Sequence, residues 1–322
     1  MRRCLWFMVA LNVAFSLCLL LLALRFFQAP PPPPVIYIRT ADEPQALEGN
    51  EELAALFGQG GEGQATSVDR NSFGVIYVMT KSPRMADQAF LSAQSVRAIY
   101  PGMPITFFVD KATKTRLEKR ERELGKKKMP YDQLVSVEDW NVPRHRLDRF
   151  SKLRSMLESP YYRTMFLDAD TYFCGGNITE LHFDWLDRFD LVGARAPHQK
   201  DVKSRPDGEI PRRFLELNSG MLVFRKTPRV SSFLKFWAQV LLERPIEGNG
   251  DQSPLREALW LFSDLNFYII SAEWNCRMKM SCKANPTCHV LHAHGVGQAM
   301  AKETKKEPWV PPPELWRPTK LN

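Results

Sequence analysis

Residues 163–176 read RTMFLDADTYFCGG, which places Asp168 and Asp170 one residue apart directly after an apolar run. On an extended backbone, side chains two apart point the same way, so both carboxylates would face one spot. Like charges set so close repel unless something positive lies between them, and a divalent cation is the usual answer. The plainer alternative is a strand-end turn in which the aspartates cap neighbouring backbone N–H groups. Other polar residues recur in short blocks downstream. They are Asn218, Ser219 and Gly220 in LNSGMLVF, Asp251 and Gln252 in GDQSPLREAL, and His292 and Gly295 in VLHAHG.

The elements that must position these groups show in the hydrophobic pattern. GVIYVMT (74–80), PITFFVD (104–110), LVSVED (134–139) and RTMFLDAD (163–170) read as strands. The first is a continuous apolar run, as a strand covered on both faces should be. Between them, 85–99 and 113–124 read as helices, and Leu147, Phe150, Leu153 and Leu157 mark one helix face before Pro160. Further strands are expected at 189–195 and 217–226, and helices at 230–242 and 253–261. Such alternation argues an α/β fold with a mainly parallel, doubly wound sheet and its ligand at the carboxyl ends of the strands. No G-x-G-x-x-G or P-loop follows the first strand, which argues against a dinucleotide cofactor or a Walker-type ATPase.

Composition sets the surroundings. The chain has 322 residues, 44% of them hydrophobic, and a net charge of +8. That suffices for one large α/β domain. The basic runs mix both signs and lack a basic stripe with interleaved aromatics, so no nucleic-acid partner is expected. The excess positive charge suits an anionic small substrate. After Arg2 and Arg3, residues 5–24 are almost wholly apolar, long enough to cross a bilayer as a signal anchor. The expected organisation is a cytosolic tail (1–4), a transmembrane anchor (5–24), a Pro/Gly-rich stem (25–70), a catalytic domain (71–310) and a tail (311–322). This is a single-pass, type II arrangement with the domain lumenal, in the Golgi or ER. Cys174, Cys276, Cys282 and Cys288 are an even set suited to two disulfides in any of three pairings, and Asn177-Ile-Thr179 is a glycosylation sequon. Three histidines follow these cysteines, but no paired C-x-x-C is present, so disulfides are expected rather than a zinc site.

Two enzyme classes use D-x-D after a strand. Phosphatases of the haloacid dehalogenase type continue with Thr or Val where this chain has Tyr172, and their motif comes near the domain start. Glycosyltransferases use the pair to hold Mn²⁺ or Mg²⁺ against the diphosphate of a sugar nucleotide. The company of the pair favours the second. FSKLRSMLESPYYRTMFLDADTYF, LNSGMLVF, GDQSPLREAL, EWNCR and VLHAHG resemble, in that order, the blocks of retaining glycosyltransferases with the GT-A fold. The likeness is to the glycogenin and galactinol synthase type and its plant xylosyl- and galactosyltransferase cousins. It spans 73–298.

The resemblance implies a Rossmann-like mixed sheet flanked by helices, in one domain after the N-terminal anchor. It implies transfer from a nucleotide sugar, a UDP-sugar, to a glycan or glycoprotein acceptor with retention of configuration. By the same resemblance, Thr80 meets the uracil and ribose with Asp110 as a helper, and Lys152 reaches the diphosphate or the sugar. Asp168, Asp170 and His292 are metal ligands, with Asp168 shared with the ribose. Asn218, Ser219 and Gly220 lie under the reacting sugar, and Asp251 and Gln252 stand beside the anomeric centre. Gly295 lets backbone pass close to the diphosphate. Asp251 is also placed to cap the helix that follows. The pattern departs at Ala293, where phenylalanine is expected, and at Gln298, where a lysine is expected and Lys302 or an arginine would have to substitute. Two other outcomes fit the same residues. One is an inverting enzyme with Asp251 or Glu273 as general base. The other is a silent binder that keeps the fold for sugar or partner recognition.

Overall fold

The computed structural model describes residues 69–80, 83–125, 129–137, 147–196, 210–211, 213–243, 250–277 and 287–292. The expected anchor, the stem up to residue 68 and the C-terminal tail lie outside these residues, as do Cys282, Ala293, His294, Gly295 and Gln298. No helix among the described residues is long and apolar enough to cross a membrane.

The chain runs β1 (Phe73–Met79), α1 (Pro83–Ile99), β2 (Ile105–Val109), α2 (Lys111–Leu124), β3 (Gln133–Ser136), α3 (Leu147–Leu157), β4 (Arg163–Leu167) and β5 (Thr171–Phe173). A short helical stretch with a π-helical centre (Leu181–Trp185) leads into β6 (Leu191–Arg195). Next come β7 (Leu217–Arg225), α4 (Pro228–Glu243), α5 (Gln252–Leu261), β8 (Phe267–Ile270), β9 (Cys276–Arg277) and β10 (Val290–His292). Seven strands form one sheet in the order β3-β2-β1-β4-β7-β6-β8, in which β7 runs antiparallel to both its neighbours.

Alternation explains the continuous apolar run of β1. Ile76 and Val78 pack into a core shared with Phe150 of α3, Trp237 of α4 and Leu255 of α5. Val75, Tyr77 and Met79 pack into another with Phe90 of α1 and Leu117 of α2. A strand clothed by helices on both faces has no side left for polar residues, so its chemistry must sit at its ends.

Chain direction then chooses the end. From β1 the chain winds outward through β2 to β3, then returns to place β4 on the other side of β1. That reversal makes β1 and β4 the switch point, beyond whose carboxyl ends open α/β sheets place their ligands. Thr80 follows β1 at this edge. Residues of β7 arrive from the opposite direction, so Gly220, near its start, meets Asp168 at the end of β4: the Asp168 N–H donates to Gly220 O at 2.8 Å.

The sequence reading is corrected at several borders, among them the starts of α1 at Pro83 rather than 85 and of α2 at Lys111 rather than 113. Strand β4 stops at Leu167, and Asp168 to Asp170 form a turn closed by Thr171 N–H to Asp168 O at 3.1 Å. The aspartates therefore converge through a turn and not through strand alternation. Strand β3 ends at Ser136 rather than 139, β6 begins at Leu191 rather than 189, and α4 begins at Pro228 rather than 230. Proline is at home in a first helical turn, where its missing N–H has no partner to lose.

Strands β5, β10 and β9 make a second, three-stranded sheet. Its register sets His292 opposite Thr171, one residue past Asp170. Cys276 and Cys288 form a disulfide that ties β9 to the residues entering β10, and Cys174 is disulfide-bonded as well. Strands this short are weak alone, and the cross-link limits how far they can part.

Candidate active site

Asp168, Asp170 and His292 each turn one ligand atom inward, and these atoms lie within 4.8 Å of one another. His292 Nε2 stands 3.2 Å from Asp170 Oδ1 and 3.8 Å from Asp168 Oδ2. The histidine is buried, and its Nδ1 is 2.9 Å from Asn275 Oδ1. An amide oxygen only accepts, so Nδ1 carries a proton toward Asn275, and Nε2 is the nitrogen that faces the carboxylates. Nε2 is thus the atom placed to ligate a metal. Gly220 supplies room: a Cβ there would run into Asp168 Oδ2 and His292 Cε1. The donor set, two carboxylate oxygens and an imidazole nitrogen, fits Mn²⁺ better than Ca²⁺.

Lys152, on α3, lies beside this cluster. Its Nζ is 2.6 Å from Asp251 Oδ2, 3.4 Å from Asp168 Oδ1 and 4.6 Å from the centre of the Phe166 ring. Burial opposes the ammonium, yet Asp168 and Asp251 outweigh it and hold the group above the ordinary lysine value. Burial likewise works to raise Asp251, but Lys152 and the Ser219 hydroxyl, which donates at 3.1 Å, hold its carboxyl below the usual range. Asp251 occupies the N-cap position of α5 without a side-chain capping bond. Its carboxylate is committed to Lys152 and Ser219, so the capping reading is corrected. Trp237, packed under the loop, donates its indole N–H to Asp251 O at 3.2 Å.

Asn218 and Gln252 join the same edge. Asn218 Oδ1 accepts from Gly220 N–H at 2.9 Å, and Asn218 Nδ2 donates to Gln252 Oε1 at 2.9 Å. Gln252 Nε2 in turn donates to Glu216, which is buried. Thr80 is buried at the end of β1. Asp110 stands next to it in register, since Met79 pairs with Val109. Asp110 Oδ1 caps α2 through the Thr113 N–H at 2.8 Å, a structural duty beside its expected role as helper.

The structure thus brings Lys152, Asp168, Asp170, Asn218, Ser219, Gly220, Asp251, Gln252 and His292 into one cluster of contacts. Thr80 and Asp110 share the sheet edge but not that cluster among the described contacts. The sequence reading gave no role to Asn275 or Glu216. EWNCR contains Asn275, but its partner His292 lies 17 residues on, and the pairing of β9 with β10 and the Cys276–Cys288 disulfide bring them together. Glu216 has no local signal either, because its partner Gln252 is 36 residues away.

No protein-family model matches the sequence, and no curated protein matches it. Among solved structures, the galactosyltransferase LgtC in complex with donor and acceptor sugar analogs matches 69% of this chain and 88% of its own, at 19% identity and a TM-score of 0.49. The apo form of mouse xyloside xylosyltransferase 1 matches 69% of this chain and 97% of its own, at 16% identity and a TM-score of 0.45. The glycosyltransferase GlyE of Streptococcus pneumoniae TIGR4 matches 68% of this chain and 54% of its own, at 15% identity and a TM-score of 0.48. All three are glycosyltransferases, the class that the sequence blocks resemble. At these TM-scores the likenesses carry no weight beside the geometry of the site.

Proposed function

We propose that the chain is a glycosyltransferase that moves a sugar from a UDP-sugar to a glycan or glycoprotein acceptor with retention of anomeric configuration. The observation that carries this reading is the Asp168–Asp170–His292 cluster at the β1/β4 switch point, with Lys152 and Asp251 in contact beside it. Asp168, Asp170 and His292 would hold Mn²⁺ or Mg²⁺, which when bound offsets charge on the departing diphosphate. Lys152, held protonated, adds a fixed positive charge at the same place and needs no reorganisation to act. Asn218, Ser219 and Gly220 floor the sugar subsite, and Asp251 and Gln252 flank the reacting carbon.

The inverting alternative needs a carboxylate able to take a proton near neutral pH. Asp251 is ion-paired at 2.6 Å and held below the ordinary carboxylate range, which makes it a poor base. That argues against Asp251 as the base and leaves Glu273 as the candidate an inverting enzyme would need. The residues behind a silent-binder reading, Ala293 and Gln298, lie outside the described part of the chain.

In the same reading, residues 5–24 anchor the protein in the Golgi or ER membrane with the domain in the lumen. The Cys276–Cys288 disulfide supports an oxidising compartment.

The test is UDP release from a panel of UDP-sugars, with and without Mn²⁺ and an acceptor panel, followed by proton NMR of the first-formed product. Metal-dependent release and an anomeric coupling matching the donor are expected. Full activity in excess chelator would remove the metal from the mechanism, and an inverted coupling would remove retention.

A further inference from the structure

We propose that Glu216 is a positioning residue that fixes the side-chain amide of Gln252 in one orientation, carbonyl oxygen toward the site and amide nitrogen away from it. The bearing of that orientation on catalysis rests on the glycosyltransferase reading. The orientation itself does not.

A glutamine amide is nearly symmetric in shape, so its direction is set by what its two ends meet. Here both ends are determined independently. At one end, the Gly220 N–H can only donate, so Asn218 must offer it Oδ1, as it does at 2.9 Å. Asn218 is then obliged to turn its NH₂ toward Gln252, whose Oε1 accepts at 2.9 Å. At the other end, an ionised carboxylate can only accept, and Glu216 Oε1 takes the bond from Gln252 Nε2. Turning the Gln252 amide over would set oxygen against oxygen at Glu216 and NH₂ against NH₂ at Asn218.

Glu216 and Arg256 are both 3% exposed; burial works against the Arg256 guanidinium, and the Glu216 carboxylate works in its favour. Arg256 is held there by Phe214 O at 3.1 Å and Pro211 O at 2.9 Å. Glu216, Asn218 and Gly220 fall at a spacing of two as the chain enters β7, which places them along one side of it. The result is a run of aligned amides, from Gly220 through Asn218 and Gln252, ending on a carboxylate. Each bond in such a run polarises the next. Gln252 Oε1 therefore gains negative character, and one of its two lone pairs stays available for positive charge developing at an anomeric carbon.

The experiment compares wild type with Glu216→Gln, Gln252→Ala and the double variant, reading kcat, donor KM and the Mn²⁺ concentration for half-maximal activity. Residue 216 as an amide removes the charge at the Nε2 end and leaves Asn218 as the partner that still favours the orientation. We expect Glu216→Gln to lower kcat by about ten- to hundredfold, the range of a lost charge-assisted hydrogen bond. Donor KM and Mn²⁺ requirement should stay within about twofold, and the substitution should cost nothing further in the Gln252→Ala background. Wild-type kcat in Glu216→Gln, an additive loss in the double variant, or parallel loss of metal and donor binding would overturn the proposal. Gln252→Glu provides a check that leaves residue 216 alone. It sets two carboxylates face to face and should cost more than Gln252→Ala, and equal costs would count against the proposal. If wild type turns over no UDP-sugar, the parent reading fails and NMR decides the orientation. The Gln252 side-chain amide protons should lie downfield in wild type and move upfield in Glu216→Gln, whereas unmoved resonances would overturn the orientation too.

Discussion

The two ends of the central sheet use the same residue types to opposite effect. At the amino end of β4 and β6, buried Asp190 accepts from Arg225 at 2.8 Å, Arg229 at 3.1 Å and the Asn266 N–H at 3.2 Å. Each of its oxygens is answered, and two guanidiniums surround one carboxylate. Nearby, Arg163 pairs with Asp187 at 2.6 Å, and buried His182 packs against Phe73. Charge at this end closes on itself. At the carboxyl end, Lys152 is shared between Asp168 and Asp251, and His292 Nε2 faces Asp168 and Asp170. Three carboxylates converge there on shared partners, and clusters of that kind gather at functional sites.

This contrast predicts different failures at the two ends. Asp168→Ala and Asp170→Ala should reduce transfer to background, with circular dichroism and melting temperature close to wild type. Wild-type activity should vanish in chelator and return with Mn²⁺. A large loss of stability in either variant would mean that the carboxyl end is structural as well.

Asp190→Ala should do the reverse. It leaves one partly buried and one half-exposed guanidinium without their carboxylate and should cost about 1.5–3 kcal/mol of stability, read by denaturant unfolding. Protein that remains folded should keep its donor KM.

Asn275→Ala tests the link between the turn before β9 and His292. Without the Nδ1 partner, the imidazole loses what orients it, and the Mn²⁺ concentration for half-maximal activity should rise by about 10- to 100-fold. His292→Ala should raise it by at least as much. A normal Mn²⁺ requirement in Asn275→Ala would show that the strand register alone orients His292.

The smallest effect concerns pH. Burial, aided by the Arg163 charge, pushes His182 down to about 3 from its ordinary 6.5. Below 6.5 the unfolded chain takes up a proton that the folded one refuses, so this stability is complete above that pH and is lost progressively toward 3. Between pH 7 and 5.5 the loss should be about 1 kcal/mol, and His182→Leu should flatten it. An unchanged acid limb in His182→Leu would assign the loss to other groups.

Most of the elements were legible because the forces that make them are local. The run GVIYVMT can only be a strand buried on both faces, and it lies within one residue of β1. The Leu147–Phe150–Leu153–Leu157 face gives α3 in full. Asp168 and Asp170 were visible in their spacing after an apolar run, and Asp251 and His292 through the blocks that resemble glycosyltransferases. Asn275 and Glu216 were not, because their partners lie far along the chain.

The sequence alone settled the identity of most strands and helices, and which polar residues were candidates for chemistry. Which atoms meet was decided by the fold. The aspartates converge because β4 ends at Leu167 and turns, a border that an apolar run leading into a D-x-D does not mark. Lys152 reaches both Asp168 and Asp251 because α3 packs against the sheet edge where β4 and the start of α5 come together. The directions of the Gln252 amide and the His292 ring follow from partners 36 and 17 residues away. A hydrogen bond acts over about 3 Å whatever the distance along the chain, so its partners become known only when the chain has closed on itself.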